Sequence, residues 1–295
     1  MRIGYYPGCS LRGSAIDFDI SVRALAEAVG DDLVELDDWS CCGATAAHAL
    51  SRDLGLALPA RNLALAVGQG LDKLLAPCAA CFNRLSVTAR RLAEDADERV
   101  RIEDIVEMPL SQTPAVWNLA QYLQAHGVER LSERVERPLS GLRLACYYGC
   151  LLLRPAGLIG FDDPEQPSSM ETIVRALGAE PVDWPLRNEC CGGGFTVSKP
   201  EAVITLAGAV LENALAWGAQ AVVTACPMCH TNLDMRQRAI ERALGRRFNL
   251  PIYYLSEVVA WSLGVSRDRL ALGKHLVSAP EPGALLSATP GKAAG

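Results

Sequence analysis

The chain has 295 residues, half of which are hydrophobic, and its formal net charge at pH 7 is −6. A chain of this length can bury a large core, so it is expected to fold without disulfide staples and to form two domains of ordinary size. The negative charge and the lack of a dense Lys/Arg run argue against a nucleic-acid partner, because that affinity comes mainly from clustered basic side chains.

Short apolar runs in the first half of the chain have the pattern of β-strands, and each ends where cysteines begin. These runs are Arg2 to Tyr6, Leu33 to Leu36 and Lys73 to Ala76. Between them, Ser21 to Val29 and Asn62 to Val67 carry apolar residues at helical spacing. The order predicts a strand, a helix, a second strand, more helix and a third strand.

The second half repeats the first, with five cysteines in each. The matched segments are Tyr5-Tyr6-Pro7-Gly8-Cys9 with Tyr147-Tyr148-Gly149-Cys150, Ser40-Cys41-Cys42-Gly43 with Glu189-Cys190-Cys191-Gly192, and Ala76-Pro77-Cys78-Ala79-Ala80-Cys81 with Ala225-Cys226-Pro227-Met228-Cys229. Helical spacing returns at Met170 to Leu177 and Glu201 to Trp217. We therefore predict an α/β fold of two pseudo-symmetric Rossmann-like βαβ repeats, with cysteine clusters at the carboxyl ends of short parallel strands.

Charge and composition suggest where the repeats begin and end. A charged segment from Glu129 to Gly141 precedes the second repeat, and beyond Val265 the chain is rich in Ala, Pro, Gly and Ser. We predict a first repeat domain over residues 1–135 and a second over 136–264. Residues 265–295 are predicted to be either a disordered tail or a segment that docks on a partner.

The start of the chain and its most apolar windows bear on where the protein works. Met1 leads into a strand-like segment without the basic start and apolar stretch of a signal peptide. The windows 142–160 and 203–226 contain charged residues such as Arg143 and Glu212, so neither resembles a membrane span. We predict a cytoplasmic protein whose 11 cysteines stay reduced and bind metal or carry out redox chemistry.

The predicted topology brings the cysteines of each half together. Parallel strands linked by helices leave their carboxyl ends at one crevice, and three cysteine groups meeting there can surround an inorganic cluster. Helices that begin at this edge can stabilise the negative charge of the cluster with their amide ends. Gly8, Gly43 and Gly192 to Gly194 allow the backbone angles that such wrapping requires.

The number and spacing of the thiols favour iron–sulfur clusters over other sites. A closed zinc site needs only four ligands, and an adjacent Cys-Cys pair suits a single ion poorly because consecutive side chains tend to diverge. A conventional ferredoxin site places three cysteines within a short loop, which this sequence lacks. A thioredoxin-like pair at Cys78 and Cys81 would leave the two doublets unexplained.

The whole pattern resembles the paired CCG-domain signature found in the B subunit of heterodisulfide reductase. The flanking Tyr5-Tyr6-Pro7-Gly8-Cys9-Ser10-Leu11, and Tyr147-Tyr148-Gly149-Cys150 followed by Arg154-Pro155, are similar to that family, and the similarity covers about Met1 to Leu263. The iron–sulfur subunits of glycolate and lactate oxidation systems and of thiol:fumarate reductase are also similar. They usually carry additional ferredoxin motifs, which are not visible here.

The resemblance implies two noncubane 4Fe–4S clusters beside a cleft where a disulfide is cleaved. One cluster would be bound by Cys9, Cys41, Cys42, Cys78 and Cys81, and the other by Cys150, Cys190, Cys191, Cys226 and Cys229. It also implies two partners from the same complex, the C subunit, which is ferredoxin-like, and the A subunit, which contains flavin. No flavin or nicotinamide is expected in this chain, because Gly192-Gly193-Gly194 lacks the spacing of a dinucleotide loop.

Several other residues near the cysteines are candidates for roles at the site. His230 either hydrogen-bonds a cluster sulfur or a substrate thiolate, or has a surface or capping role. Lys199 either attracts an anionic substrate or is a solvated lysine at a helix start. Cys146, the unmatched cysteine, is expected to be a buried free thiol.

The tyrosines and one long loop complete the set of candidates. Tyr5, Tyr6, Tyr147 and Tyr148 are expected to pack beside the clusters as core aromatics, with proton delivery as the alternative. The loop from Pro155 to Ser169 is expected to form part of a substrate entrance, a partner surface or an inert insertion.

Two redox functions remain open from the sequence, with a structural zinc protein as a third possibility. The first is an oxidoreductase subunit that cleaves or forms a disulfide in two one-electron steps. Its substrate would be of the CoM-S-S-CoB type or a thiol or persulfide compound of bacterial sulfur oxidation, since the Ala- and Arg-rich composition favours a bacterial member. The second is an electron-transfer subunit, of the glycolate or lactate oxidase or thiol:fumarate reductase type, without a substrate site of its own.

Overall fold

The computed structural model describes residues 1–44 and 47–286, and it contains two parallel β-sheets, one in each half of the chain. The strands of the first half are β1 (Arg2–Tyr5), β2 (Asp32–Glu35), β3 (Lys73–Leu75) and β4 (Ala115–Trp117). Those of the second half are β5 (Arg143–Tyr147), β6 (Glu180–Pro181), β7 (Ala221–Thr224) and β8 (Ile252–Tyr254).

Both sheets have the same strand order. It is β2-β1-β3-β4 in the first sheet and β6-β5-β7-β8 in the second, and every pairing is parallel. Central strands such as β7 are buried along their whole length, as expected for a sheet whose two faces are covered by helices. The predicted α/β fold with two similar halves is confirmed.

Helices connect the strands and cover both sheets. In the first half they are α1 (Gly8–Leu11), α2 (Ile16–Val29), α3 (Ala47–Leu50), α4 (Arg52–Gly68), α5 (Ala79–Glu94), α6 (Ala96–Val106), α7 (Leu119–Ala125) and α8 (Val128–Glu133). In the second half they are α9 (Ala156–Ile159), α10 (Ser169–Ala176), α11 (Pro200–Ala216), α12 (Pro227–Leu233), α13 (Gln237–Leu244) and α14 (Leu255–Ser262).

The elements differ from the prediction mainly at the edges of the sheets. Each half has a fourth strand, β4 or β8, which the sequence pattern did not indicate because each is only 3 residues long and no cysteine follows it. Helix α4 is also much longer than the predicted segment Asn62 to Val67, since it begins at an N-cap, Ser51, whose side chain accepts a hydrogen bond from the backbone N–H of Leu54.

The two halves share one continuous hydrophobic core. Helix α2 of the first half packs against α14 of the second, and the Ser21 and Ser256 hydroxyls lie 2.7 Å apart in this contact. The Phe18 ring stacks on Tyr254, with their centroids 4.1 Å apart. The halves are therefore fixed against each other by buried apolar and polar contacts.

The segment after α14 is ordered as far as residue 286, which corrects the prediction of a disordered tail for that part; docking on a partner stays a prediction. Residues 265–286 contain short 3-10 helices at Arg267–Leu270, Leu272–Lys274 and Pro282–Leu286, and they pack on the body of the protein. Leu270 and Leu272 are buried, and the hydroxyl of Tyr253 donates a hydrogen bond to the carbonyl of Pro280. The remaining part of the predicted tail, 287–295, lies outside the described residues.

The join between the halves is also packed rather than an open linker. Helix α8 lies within it, Leu131 and Leu139 are buried, and the backbone N–H groups of Glu136 and Arg137 donate to the carbonyl of Ser262. The exact domain limits at 135 and 264 stay a prediction. Within the described part of the chain, no helix has the length and apolar composition needed to cross a lipid bilayer.

Candidate metal centres

The five cysteines of the first half meet at the carboxyl ends of β1, β2 and β3. Cys9 lies in α1, the doublet Cys41-Cys42 in the loop after β2, and Cys78 and Cys81 at the start of α5. The sulfur atoms of Cys42 and Cys81 are 3.4 Å apart. Cys9 and Cys41 are exposed and the other three are buried, so this group has one wall open to solvent.

The second half builds the same arrangement after β5, β6 and β7. The sulfur atoms of Cys191 and Cys229 are 3.6 Å apart, matching the first half. Cys150 and Cys190 are partly exposed, whereas Cys226 and Cys229 are buried at the start of α12. The structure thus brings each predicted set of five thiols into its own group.

Glycines shape the backbone around both groups. Gly8 and Gly149 have φ angles of +64° and +62°, and a Cβ added to either would lie 2.8 Å or 2.9 Å from the sulfur of Cys81 or Cys229. Only glycine fits where the backbone approaches a sulfur atom this closely. The glycine after each doublet also has a positive φ, and its N–H donates to the first sulfur of the doublet, at 3.4 Å in the first half and 3.3 Å in the second.

A hydrogen bond between two cysteines of a group favours the thiolate at one sulfur and the thiol at the other, so the bonds with Cys42 and Cys190 raise the pKa of Cys41 and Cys150. Contacts with Cys41 and then Cys81 lower the pKa of Cys42 to about 3, and a contact with Cys150 lowers the pKa of Cys190 to about 6. The pKa of Cys78 is lowered first by Cys81 and further by backbone N–H groups at the start of α5. The thiolate is the form of cysteine that binds metal.

The donor sets fit iron–sulfur clusters. Each offers five sulfur ligands, one more than a tetrahedral zinc ion needs, with backbone N–H groups directed at sulfur from a helix start and a glycine turn. The glycine positions keep the space beside the sulfurs clear of side chains. Donors of this kind hold cluster iron and raise its reduction potential by hydrogen bonding.

A contact between the halves brings the two groups next to each other. The side-chain amide of Asn83, two residues after Cys81, donates to the carbonyls of Leu151 and Arg154 at 2.8 and 2.7 Å. These carbonyls belong to the turn that follows Cys150. The helical turn that carries Cys81 therefore lies against the turn that carries Cys150.

An aromatic stack lies near a cysteine of each group. The ring of Tyr254 is stacked on Phe18 on one side and on His230 on the other, with both centroid distances 4.1 Å. Burial, then the charges of Asp17 and Glu257, and then those of Cys226 and Cys78 raise the pKa of Tyr254 well above its usual value. Tyr254 is thus within electrostatic range of one thiol from each group.

The structure places the other three predicted candidates in different surroundings. His230 is buried, so it has no surface role, and its imidazole Nε2 lies 3.1 Å from the carbonyl of Ile252 rather than at a sulfur. Lys199 is exposed at the residue before α11, as expected for a solvated lysine at a helix start. Cys146 is fully buried in β5, and burial raises its pKa well above the usual value.

The four tyrosines near the cysteines are buried core residues, as expected. Aligning Gly8 with Gly149 pairs Tyr6 with Tyr147, and each hydroxyl donates at 2.7 Å to the carbonyl of the residue before its own doublet. The same alignment pairs Tyr5 with Cys146, so the unmatched cysteine stands where the first half has a tyrosine.

The loop from Pro155 to Ser169 contacts both halves. Phe161 packs edge-on against Phe82 of the first half, and the side chain of Asn188, near the second doublet, donates to the carbonyl of Pro164. The loop therefore packs between the halves and is not a free insertion. Whether it borders a substrate entrance stays a prediction.

Sequence reasoning missed four residues beside the thiols. Two of them are Asn83 and Tyr254, and a third is Asn232, which donates to the carbonyl and the sulfur of Cys191 at 3.2 and 3.6 Å. The fourth, Arg84, helps lower the pKa of Cys42. The sequence does carry one signal for them, because Arg84 and Asn232 both stand three residues after the last cysteine of their repeat.

The fold and these sites define a class of protein, an α/β protein with a duplicated cysteine-rich metal-binding domain. The model of the cysteine-rich (CCG) domain family matches residues 3–86 and 144–234, which is more than half of the chain. The chain therefore belongs to the cysteine-rich CCG domain family.

Known relatives agree with this assignment. The "8-methylmenaquinol:fumarate reductase membrane anchor subunit" of Wolinella succinogenes is 33% identical, over 96% of this chain and 99% of the relative. The B subunit of the ferredoxin/F(420)H(2)-dependent CoB-CoM heterodisulfide reductase of Methanosarcina acetivorans is 27% identical, over 94% of each chain. The resemblance to the B subunit of heterodisulfide reductase is confirmed, and the chain is an iron–sulfur protein similar to it.

A solved structure supports the fold. A hypothetical protein from Helicobacter pylori superposes with a TM-score of 0.78 over 95% of this chain, at 12% sequence identity. This chain spans about half of that one, 52% of its length. At this identity the likeness bears on the fold alone.

Proposed function

We propose that this chain is the catalytic iron–sulfur subunit of a heterodisulfide reductase-like complex, which cleaves or forms a disulfide at two noncubane 4Fe–4S clusters. One cluster would be bound by Cys9, Cys41, Cys42, Cys78 and Cys81, and the other by Cys150, Cys190, Cys191, Cys226 and Cys229. The observation that carries the proposal is the presence of two matched five-thiol groups, joined through the contact of Asn83 with the turn after Cys150.

Two clusters suit the electron count of the reaction. Cleaving a disulfide takes two electrons and two protons and yields two thiols, and the reverse reaction releases them. When bound, each cluster would supply one electron at a time, so a pair provides the two that the bond accepts. A substrate disulfide placed between the groups would have one sulfur atom near each.

The residues of this chain would hold and shield such a reaction. Gly8 and Gly149 leave room beside the sulfurs, and the N–H groups after the doublets neutralise part of the thiolate charge. The stacked rings of Phe18, Tyr254 and His230 are buried, so they would exclude water from the protein side of the site.

The partners and the substrate follow from the family resemblance. The relatives named as heterodisulfide reductase subunits belong to complexes, and we propose that this chain exchanges electrons with the ferredoxin-like C subunit or the flavin-containing A subunit of such a complex. The substrate class is a small disulfide or thiol, or a protein-bound sulfur compound. A cytoplasmic location stays a prediction.

A second function is favoured by one specific observation. The relative at 33% identity is named as a subunit of an 8-methylmenaquinol:fumarate reductase. A chain with this role would pass electrons between a quinol and a partner enzyme, without a disulfide substrate of its own. Addition of a disulfide would then leave the clusters unchanged, whereas a quinol would reduce them.

Matched cysteine variants test the first function. In anaerobically purified protein, Cys41→Ala and Cys190→Ala should each reduce bound iron to about half and abolish disulfide reduction, because each removes a ligand from one of two clusters. Cys146→Ala is the control, since this buried cysteine lies outside both groups. The measurements are iron and sulfide content, the cluster spectrum during addition of candidate disulfides, and turnover.

The outcomes separate the two functions. Full turnover in either Cys41→Ala or Cys190→Ala would contradict a reaction that needs both clusters. If wild-type protein with a full complement of iron is oxidised by no disulfide but is reduced by a quinol, the electron-transfer function replaces the catalytic one.

A further inference from the structure

A second group of metal-ligating side chains lies outside both cysteine groups, at the contact between the two halves. Asp17 in α2, His230 in α12 and His275 in the segment after α14 each offer a ligand atom, and these atoms all lie within 4.8 Å of one another. All three residues are buried. Three elements that are far apart in sequence thus converge on one polar point in the core.

Both imidazoles are held as metal-binding histidines usually are. One ring nitrogen of such a histidine typically donates to a carboxylate or a backbone carbonyl, which fixes the ring and leaves the other nitrogen for the metal. Here Nε2 of His230 lies 3.1 Å from the carbonyl of Ile252, and Nε2 of His275 lies 2.9 Å from the carboxylate of Glu257. Nδ1 of His275 is buried and has no hydrogen-bond partner among the described residues.

The charges around this point favour a positive charge: burial lowers the pKa of His275, but the carboxyl groups of Glu257, Asp234 and Asp17 raise it above its usual value overall. Asp17, Asp234 and Glu257 are all buried, and burial raises the pKa of each carboxyl group, because the charged form lacks solvent there. Asp234 is satisfied by two backbone N–H groups, of Leu276 and Val277. The carboxylate of Asp17 accepts from the N–H of Phe18, and its other oxygen lies 3.9 Å from Nε2 of His275, the nitrogen that also contacts Glu257.

We propose that Asp17, His230 and His275 bind one divalent transition-metal cation, separate from the iron–sulfur clusters. Two imidazoles and a carboxylate are ligands that zinc and ferrous iron accept, whereas calcium and magnesium prefer all-oxygen sites. The cation balances the buried carboxylates and links α2 of the first half to α12 and to the segment after α14. Its role is structural, because the site is enclosed in the core.

Zinc is the probe for this site. X-ray absorption spectroscopy at the zinc edge identifies the atoms that coordinate the bound zinc. Wild-type protein purified anaerobically with its iron and then equilibrated with zinc should bind one equivalent in a nitrogen and oxygen shell at about 2.0–2.2 Å. Zinc in a cysteine group would instead show sulfur at about 2.3 Å. Because iron is counted in the same sample, the result does not depend on the disulfide reaction.

Variants show which residues hold the ion. Asp17→Asn and His275→Gln should each weaken zinc binding by about tenfold or more and leave the iron content unchanged. Asp234→Asn is the matched control, a buried carboxylate of the same network outside the three ligands, and it should retain zinc.

Three results would overturn the proposal. They are no zinc in wild-type protein at saturation, a shell of sulfur alone, or full zinc binding in both ligand variants. If a variant fails to fold, the ligand shell of the wild-type protein still decides the question.

Discussion

The two cysteine groups stand on the same scaffold but have different surroundings. In the first, Cys9 and Cys41 are exposed, whereas their counterparts Cys150 and Cys190 are only partly so. The strand order, the glycine positions and the sulfur contacts are shared. Duplication has therefore preserved what holds a cluster, while solvent access, which tunes cluster potential, has diverged.

The loops that carry the doublets are also anchored differently. In the first half, Asn62 exchanges two hydrogen bonds with the backbone of Ser40, just before the doublet. In the second half, Asn232 bonds the doublet itself at Cys191, and Thr196 donates to Asn232 from the far side of the loop. Asn232 thus holds the second loop at its doublet and after it, whereas Asn62 holds the first loop before its doublet.

The largest expected effect comes from changing the glycine that lies against a cysteine sulfur in each half. Gly8→Ala and Gly149→Ala should each reduce bound iron to about half, because the new Cβ would lie within 3 Å of the Cys81 or Cys229 sulfur and the φ angle is strained for alanine. Iron and sulfide analysis of anaerobically purified protein measures the loss.

A third glycine variant serves as the control that distinguishes contact of the new Cβ with sulfur from strain at a positive φ angle. Gly30 has a φ of +83°, yet a Cβ there would meet no atom within 4 Å. Gly30→Ala should lower stability by about 1–2 kcal/mol and leave the iron content intact. If all three variants keep their iron, the close approach of backbone to sulfur is not needed for cluster binding.

A smaller effect, on the free energy of unfolding, should follow from removing the contact of Asn83 with the second half. Asn83→Ala removes two hydrogen bonds to the turn after Cys150 and leaves the Leu151 and Arg154 carbonyls without that donor. We expect a loss of about 2 kcal/mol of unfolding free energy, measured by denaturant titration. Thr231→Ala changes the matching position of the second repeat, which lacks the bridging amide, and should cost less than about 0.5 kcal/mol. Equal losses in the two variants would mean that the contact contributes little.

Much of the site could be predicted because it depends on local order along the chain. A cysteine that follows a short apolar run falls at a strand end, and parallel strands place those ends together. This reasoning placed Cys9, Cys78 and their counterparts correctly. It required no knowledge of how the halves pack.

What could not be predicted depends on contacts between distant segments. Strand β8 is short and no cysteine follows it, so Tyr254 at its end was not placed near the cysteine groups. The segment after Val265 has the composition of a disordered tail, but Leu270 and Leu272 bury there and His275 pairs with Glu257. Composition does not show whether a few apolar residues find a matching surface.

The difference with the smallest expected effect is one positive charge beside the first cysteine group. Arg84 stands where the second repeat has Asn232, and its guanidinium acts on the Cys42 thiolate. A nearby positive charge favours the reduced, more negative state of a cluster, so we expect the first cluster to have the higher potential of the two from this cause. Arg84→Gln should lower its potential by roughly 40 mV, equal to about 1 kcal/mol for one electron.

A redox titration followed by electron paramagnetic resonance measures both clusters in one sample. The second cluster should keep its potential in Arg84→Gln, since Asn232 is unchanged. Arg90→Gln removes the same charge from the same helix, but Arg90 is exposed and paired with Glu94, so it should shift neither potential. An equal shift of both clusters in Arg84→Gln, or the same shift in Arg90→Gln, would show that the charge acts through the overall field of the protein and not at the first site.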